Sequence, residues 1–130
     1  MYEFGEIESH LASQTLSAEG RRFASELQEA LFALMAEGDV KLDSVAEQMG
    51  MTKISLRRKI QGYFGMQPSR YLMHVRLRES LRLMLRYPEY SIGRIAYVCG
   101  FYDKVHFTHT FVKQFGMSPT RYIQTYLQNN

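Results

Sequence analysis

Arg57, Arg58 and Gln61, with Lys53, Ile54 and Ser55 beside them, are residues whose types and spacing could do chemistry. On a helical period Leu56, Ile60, Tyr63 and Phe64 gather on one side and must be core. The opposite side then carries Ile54, Ser55, Arg58 and Gln61, with Lys53 and Arg57 on the flank. An outward guanidinium can fork onto two acceptors such as guanine O6 and N7, a contact worth roughly 1–3 kcal/mol of discrimination. Ile54 has no core to join on that face. A thymine methyl would give it a partner, against the plainer reading of an isolated surface isoleucine. Arg57 suits a base edge or a phosphate, and the second would position without reading sequence.

A second outward row follows: Lys104, Val105, His106, Thr108 and His109, with Val112, opposite an inner stripe of Phe107, Phe111 and Phe115. This row has less charge and more apolar character. The first row is therefore expected to dominate specificity, and the second to add shape and methyl contacts, with a phosphate contact from Lys104. Arg70, Arg94, Lys113 and Arg121 are further phosphate candidates. Arg70 and Arg121 each sit in a repeated Pro-x-Arg-Tyr motif, where capping a preceding helix end is the structural alternative.

Other chemistry finds little support. His106 and His109 stand three residues apart, as zinc ligands often do, but two histidines do not close a site and no third ligand has suitable spacing. Cys99 falls on the packed side of its helix, without the basic setting a redox sensor needs. No phosphate-cradling glycine loop or nucleophile elbow occurs. No enzyme activity, metal or cofactor is expected. One cysteine excludes an intramolecular disulfide and agrees with a reducing cytoplasm. No apolar run approaches the roughly 18 residues of a membrane span, and no charged-then-apolar leader opens the chain. A cytoplasmic location away from membranes is the expectation.

Charge is distributed unevenly. Residues 1–50 carry three basic side chains against ten acidic ones, and residues 51–130 carry thirteen against three, within a net charge of +3. A polyanion partner suits the second stretch, because each neutralised phosphate releases counterions. A solvated basic surface is the alternative.

The elements that must position these rows repeat. The first copy reads Leu42, Val45, Ala46, Gly50, Leu56, Ile60, Phe64, Gly65, Met66, Pro68, Arg70, Tyr71. The second reads Ile92, Ile95, Ala96, Gly100, Phe107, Phe111, Phe115, Gly116, Met117, Pro119, Arg121, Tyr122. The offset is 50 residues up to the glycine and 51 after it, so the second turn holds one extra residue. Each copy predicts a short helix, a glycine turn and a longer helix. Ala46 and Ala96 sit where two helices approach closely, and Gly50 and Gly100 sit where a helix end needs positive φ. Thr52 and Asp103 are expected to cap the longer helices. Two such units in register are a strong helix-turn-helix signal.

Ahead of the repeat, residues 1–16 lack periodicity and read as a linker or flexible tail. A helix is expected after Ser17, buried through Phe23, Leu27, Leu31 and Leu34 and ended by Gly38. Between the copies, 69–86 reads as one long helix. Its stripe is Tyr71, Leu72, Val75, Leu81, Met84 and Leu85, with Arg76, Arg78, Arg82 and Arg86 as charge and Pro88 as the stop. Ser91 should cap the helix that follows. The architecture is thus all-α. Two homeodomain-like helix-turn-helix subdomains, at about 42–65 and 91–116, are joined by a long, stiff linker helix within a domain at 17–130.

Ser91-Ile92-Gly93-Arg94-Ile95-Ala96-Tyr97-Val98-Cys99-Gly100-Phe101, then Phe107, Phe111, Phe115-Gly116-Met117-Ser118-Pro119 and Tyr122, closely resemble the DNA-binding domain of the AraC/XylS family of bacterial transcription regulators. The resemblance covers about residues 20–123. It implies seven helices, with both third helices entering adjacent major-groove segments on one face of the duplex. Two positions depart: Ser80 stands where the family commonly has Ala, and Lys41 where a capping Ser or Thr is usual. The Gly50-Met51-Thr52 and Lys113-Gln114-Phe115-Gly116 stretches look most like the output domains of hybrid two-component sensors.

The resemblance implies sequence-specific binding of double-stranded DNA for transcription regulation, as an activator or a repressor. Groove contacts roughly 34 Å apart, with bending of the duplex if the linker is shorter than that, are the expected geometry. RNA polymerase is a candidate partner, as is an N-terminal sensory or signalling domain in a longer protein. The competing reading is a helical protein-interaction module that has lost DNA specificity. The acidic first helix (Glu26, Glu29, Glu37) would suit such a partner, although a solvated face explains it as well.

Overall fold

The computed structural model describes residues 17–37 and 40–128. Seven α-helices lie among them: α1 (Ala18–Ala36), α2 (Leu42–Gln48), α3 (Lys53–Phe64), α4 (Pro68–Arg86), α5 (Ile92–Val98), α6 (Lys104–Phe115) and α7 (Pro119–Tyr122). A π-type turn at Ile123–Leu127 follows, and no strand occurs among the described residues. The expected tail at 1–16 and the expected stop at Gly38 lie outside them. The chain divides into two compact units, residues 1–75 and 76–130, and the division falls within α4.

In the first unit Ser17 caps α1, its Oγ accepting from the Gly20 amide at 3.0 Å. Phe23, Leu27, Leu31 and Leu34 are buried, as their spacing predicts. They share a core with Val45 and Ala46 of α2, Leu56, Ile60 and Phe64 of α3, then Met66, Tyr71, Leu72 and Val75. Each fully buried side chain of this size contributes roughly 1.5–3 kcal/mol. That burial holds α2, whose seven residues are too few to stay helical alone.

In the second unit Leu77, Leu83, Met84, Ile95, Ala96, Cys99, Phe101, Phe107 and Phe111 are buried. Aromatic rings succeed one another through it: Phe101 to Phe107 at 4.9 Å, Phe107 to Phe111 at 5.7 Å, and Phe111 to Phe115 at 4.5 Å. Phe115, expected on the inner stripe, is only half-buried, because it ends α6 beside the similarly half-buried Tyr122. Tyr63 is likewise half-buried at the end of α3.

The two turns are built alike. Gly50 and Gly100 adopt φ of +69° and +78°. Their amides donate to Glu47 and Tyr97, and the next amides, Met51 and Phe101, donate back to Ala46 and Ala96, both at 3.0 Å. This crossed pair of bonds satisfies carbonyls the helix leaves free, and only the left-handed glycine lets the chain reverse to make it. The ending motif also acts alike in both copies. Pro68 and Pro119 open α4 and α7, and the following tyrosines turn back onto α3 and α6, Tyr71 on Phe64 at 4.5 Å and Tyr122 on Phe111 at 5.6 Å.

α4 departs from expectation in its buried face. Tyr71, Leu72, Val75 and Met84 are buried as predicted, but Leu81 is half-buried and Leu85 is 69 % exposed. Leu77, Ser80 and Leu83 are buried instead. A single stripe cannot describe this helix. Its first half supplies the core of one unit and its second half that of the other, so the buried set moves round the helix axis partway along. Ser80 is accommodated because its hydroxyl donates to the Leu77 carbonyl at 2.6 Å.

Candidate nucleic-acid interface

α3 and α6 are each anchored by an N-cap and a left-handed glycine. Thr52 Oγ1 accepts from the Ser55 amide at 3.1 Å and Asp103 Oδ1 from the His106 amide at 2.7 Å. Gly65 and Gly116, at φ +67° and +79°, close the far ends. Leu56, Ile60 and Phe64 pin the inner side of α3, and Phe107 and Phe111 that of α6. The opposite sides are thereby turned outward.

On α3, Lys53, Ile54, Arg57, Arg58 and Gln61 are exposed and Ser55 is half-buried. Ile54 is 70 % exposed, an aliphatic side chain held in water next to two guanidinium groups. Lys53 Nζ lies 3.3 Å from an Asp43 carboxylate oxygen, both well exposed, a pair that adds little stability and can yield to a phosphate. On α6, Lys104, Val105, His106 and His109 are exposed and Thr108 is half-buried. His106 lies edge-on to Phe101 at 5.6 Å, which steadies its ring at the helix start. Thr110 Oγ1 donates to the His106 carbonyl, so the hydroxyl serves the helix itself. Among the described residues no three His, Cys, Asp or Glu side chains cluster as metal ligands would.

Of the phosphate candidates, Arg94 and Lys113 are exposed, with the Arg94 guanidinium 4.4 Å from the Tyr90 ring centroid. Arg121 is exposed, and its amide, not its guanidinium, takes part in the cap made by Ser118. Arg70 is half-buried.

Arg76 is a positioning residue that sequence reasoning missed. Counted there only among the charges of the linker helix, it is buried in the second unit. Its Nε donates to the Cys99 carbonyl at 3.1 Å and one terminal nitrogen donates to the Gly100 carbonyl at 2.6 Å. Its guanidinium lies 4.2 Å from the Phe101 ring centroid. One side chain thus fixes the end of α5, the glycine and the first residue of the turn that delivers α6. Burial lowers its pKa from the usual arginine range, opposed by the Cys99 charge. A signal was present: Arg76 follows Leu72 and precedes Ser80 at four-residue steps, so it lies on a stripe otherwise apolar or small. The same burial pushes the Cys99 thiol up to about 12, outweighing the pull of Arg76 and Arg82.

Two helix-turn-helix units with outward reading helices define a class, and comparison with known proteins gives the family. The profile of the helix-turn-helix domain family matches residues 45–125. The chain belongs to that family and is a DNA-binding domain of the AraC type. It is similar to the HTH-type transcriptional activator RhaS of Escherichia coli (strain SE11), 41 % identical over 81 residues. That match covers 62 % of this chain and 29 % of RhaS, so the chain spans well under half the length of such relatives. Among solved structures it is similar to the DNA-binding domain of AdpA, a global transcriptional factor, in complex with a target DNA. The TM-score is 0.68 and the identity 26 %, covering 79 % of this chain and 90 % of that one. It is also similar to the C-terminal domain of AraT, a response regulator from Geobacillus stearothermophilus. There the TM-score is 0.69 and the identity 26 %, covering 90 % and 97 %.

Proposed function

We propose that the outward faces of α3 and α6 each enter a major-groove segment of one operator, with base discrimination carried chiefly by α3. Arg58 reads guanine through its forked donors, Arg57 a second base or the adjoining phosphate, and Ile54 a thymine methyl. Lys53, Ser55 and Gln61 complete that face. Lys104, Val105, His106, Thr108 and His109 form the second, less charged one. The observation that carries this reading is Ile54, 70 % exposed on the side of a well-anchored helix opposite its buried face. The chain acts as a binder, not an enzyme.

The whole protein is read as a cytoplasmic transcription activator, touching RNA polymerase and carrying a sensory or signalling domain N-terminal to this one. The likeness to an activator and to the C-terminal domain of a response regulator supports that assignment. No described helix is long and apolar enough to cross a membrane. Selection from randomised duplex DNA tests the reading. Enrichment of two sequence blocks is expected; binding that is weak, salt-sensitive and free of sequence preference would move the protein-interaction reading to first place.

A further inference from the structure

The second turn is one residue longer than the first, and Tyr102 lies in that longer turn. In the first unit the buried-side residue after the glycine, Met51, is followed at once by the cap Thr52; in the second, Tyr102 stands between Phe101 and the cap Asp103. Phe101 is buried, whereas Tyr102 is 90 % exposed, the most exposed large hydrophobic side chain among the described residues. It therefore contributes nothing to the core, and Phe101 already supplies the ring that Arg76 lies against.

Three further observations say what such a residue meets. It directly precedes the cap Asp103, two residues before α6 begins, and so lies exposed in the chain next to the exposed Lys104, Val105 and His106. The start of α6 is taken by a carboxylate: Asp103 accepts from the His106 amide at 2.7 Å and places negative charge where helix amides would otherwise attract a phosphate. Finally, α6 has few cations of its own. Lys53, Arg57, Arg58 and Lys59 line α3, while Lys104 and Lys113 are the only lysines or arginines in α6. A duplex seated on α6 therefore has to be held beside Asp103 by side-chain donors, of which Lys104 is the charged one. A phenol is a neutral donor that reaches a phosphate oxygen from outside the helix, and tyrosine is among the side chains that make such contacts.

We propose that Tyr102 is a DNA-backbone contact, its hydroxyl donating to a phosphate at the edge of the groove that α6 enters. This rests on the DNA-reading role of α6 proposed above. The contact positions α6 without reading a base and, being uncharged, releases no counterion.

The test uses the 130-residue chain and its selected duplex, with Tyr102→Phe, Lys104→Ala and Tyr97→Phe compared over a range of salt. Tyr97 is a 74 % exposed tyrosine of the same unit, on α5, and serves as the control. Tyr102→Phe is expected to weaken binding about tenfold with the salt slope unchanged. Lys104→Ala should reduce that slope by about one, and Tyr97→Phe should leave binding as it was. Duplexes carrying a single neutral methylphosphonate then locate the partner. One position should weaken wild type and leave Tyr102→Phe no weaker still. Equal affinity of Tyr102→Phe and wild type overturns the proposal, as does a loss that adds to every methylphosphonate alike. If wild type selects no sequence, the DNA-reading role fails first, before any variant is compared.

Discussion

The two helix-turn-helix units share a scaffold and differ in nearly everything laid over it. Both turns use the same small alanine, the same left-handed glycine and the same pair of backbone bonds at 3.0–3.1 Å. Both reading helices run 12 residues from a side-chain cap to a left-handed glycine. The inner faces then diverge, aliphatic in α3 up to Phe64 and wholly aromatic in α6. The caps diverge too. Ser91 Oγ accepts from the Arg94 amide at 3.0 Å, while Lys41 makes no side-chain cap to α2. Among the described residues, only the second unit has a buried arginine clamping its turn. Positions that fix backbone shape are held in common, and positions free of that duty carry the differences in stability and recognition.

The comparison can be broken at its cores. Phe107→Ala removes a fully buried ring from the middle of the aromatic series and should cost about 4 kcal/mol in urea unfolding. A loss below about 1 kcal/mol would mean that the ring series is not what holds the second unit. Arg76→Met keeps much of the side-chain bulk but leaves the Cys99 and Gly100 carbonyls without their donor. It should cost about 2 kcal/mol in the same measurement. Because the clamp sets the turn, this variant should also weaken DNA binding where Arg82→Met, an exposed partner of Glu79, does not.

The alkaline edge offers a subtler contrast, since the only cysteine lies in the second unit. Burial raises the Cys99 thiol from 9.0 to about 12, so the folded state holds this proton more tightly than the unfolded one. Its contribution to stability is complete below pH 9.0 and is lost as pH rises toward about 12. Unfolding followed through that window should show Cys99→Ala with a flatter decline than wild type. The smallest effect sharpens the cap difference. Lys41→Ser should give α2 the cap that α5 has and add roughly 0.5–1 kcal/mol, read as a raised denaturation midpoint.

The shared scaffold was legible in the sequence because it depends on local chemistry. Ser17, Thr52, Ser91 and Asp103 cap the helices they precede, and Gly50 and Gly100 adopt positive φ. Each of these is dictated within a few residues of itself. The outward placement of Ile54, Arg57, Arg58, Val105 and His109 follows equally from helical period. What escaped was non-local. Arg76 meets its acceptors 23 and 24 residues along the chain, and no local pattern reports such a bond. Leu85 was assigned to a stripe that assumes one partner for the whole of α4, whereas that helix supplies two cores in turn. Tyr102 was visible only as one extra residue in a repeat, because sequence counts an insertion without saying that its side chain stays in water.

The most direct measurement of the central claim is to repeat the selection from randomised duplexes with Arg58→Ala and compare its motif with that of wild type. The account predicts two blocks for wild type, with preference relaxed at one base pair of one block in the variant and the other block unchanged. An Arg58→Ala motif identical to that of wild type would contradict it, because the outward face of α3 would then not be where sequence is read.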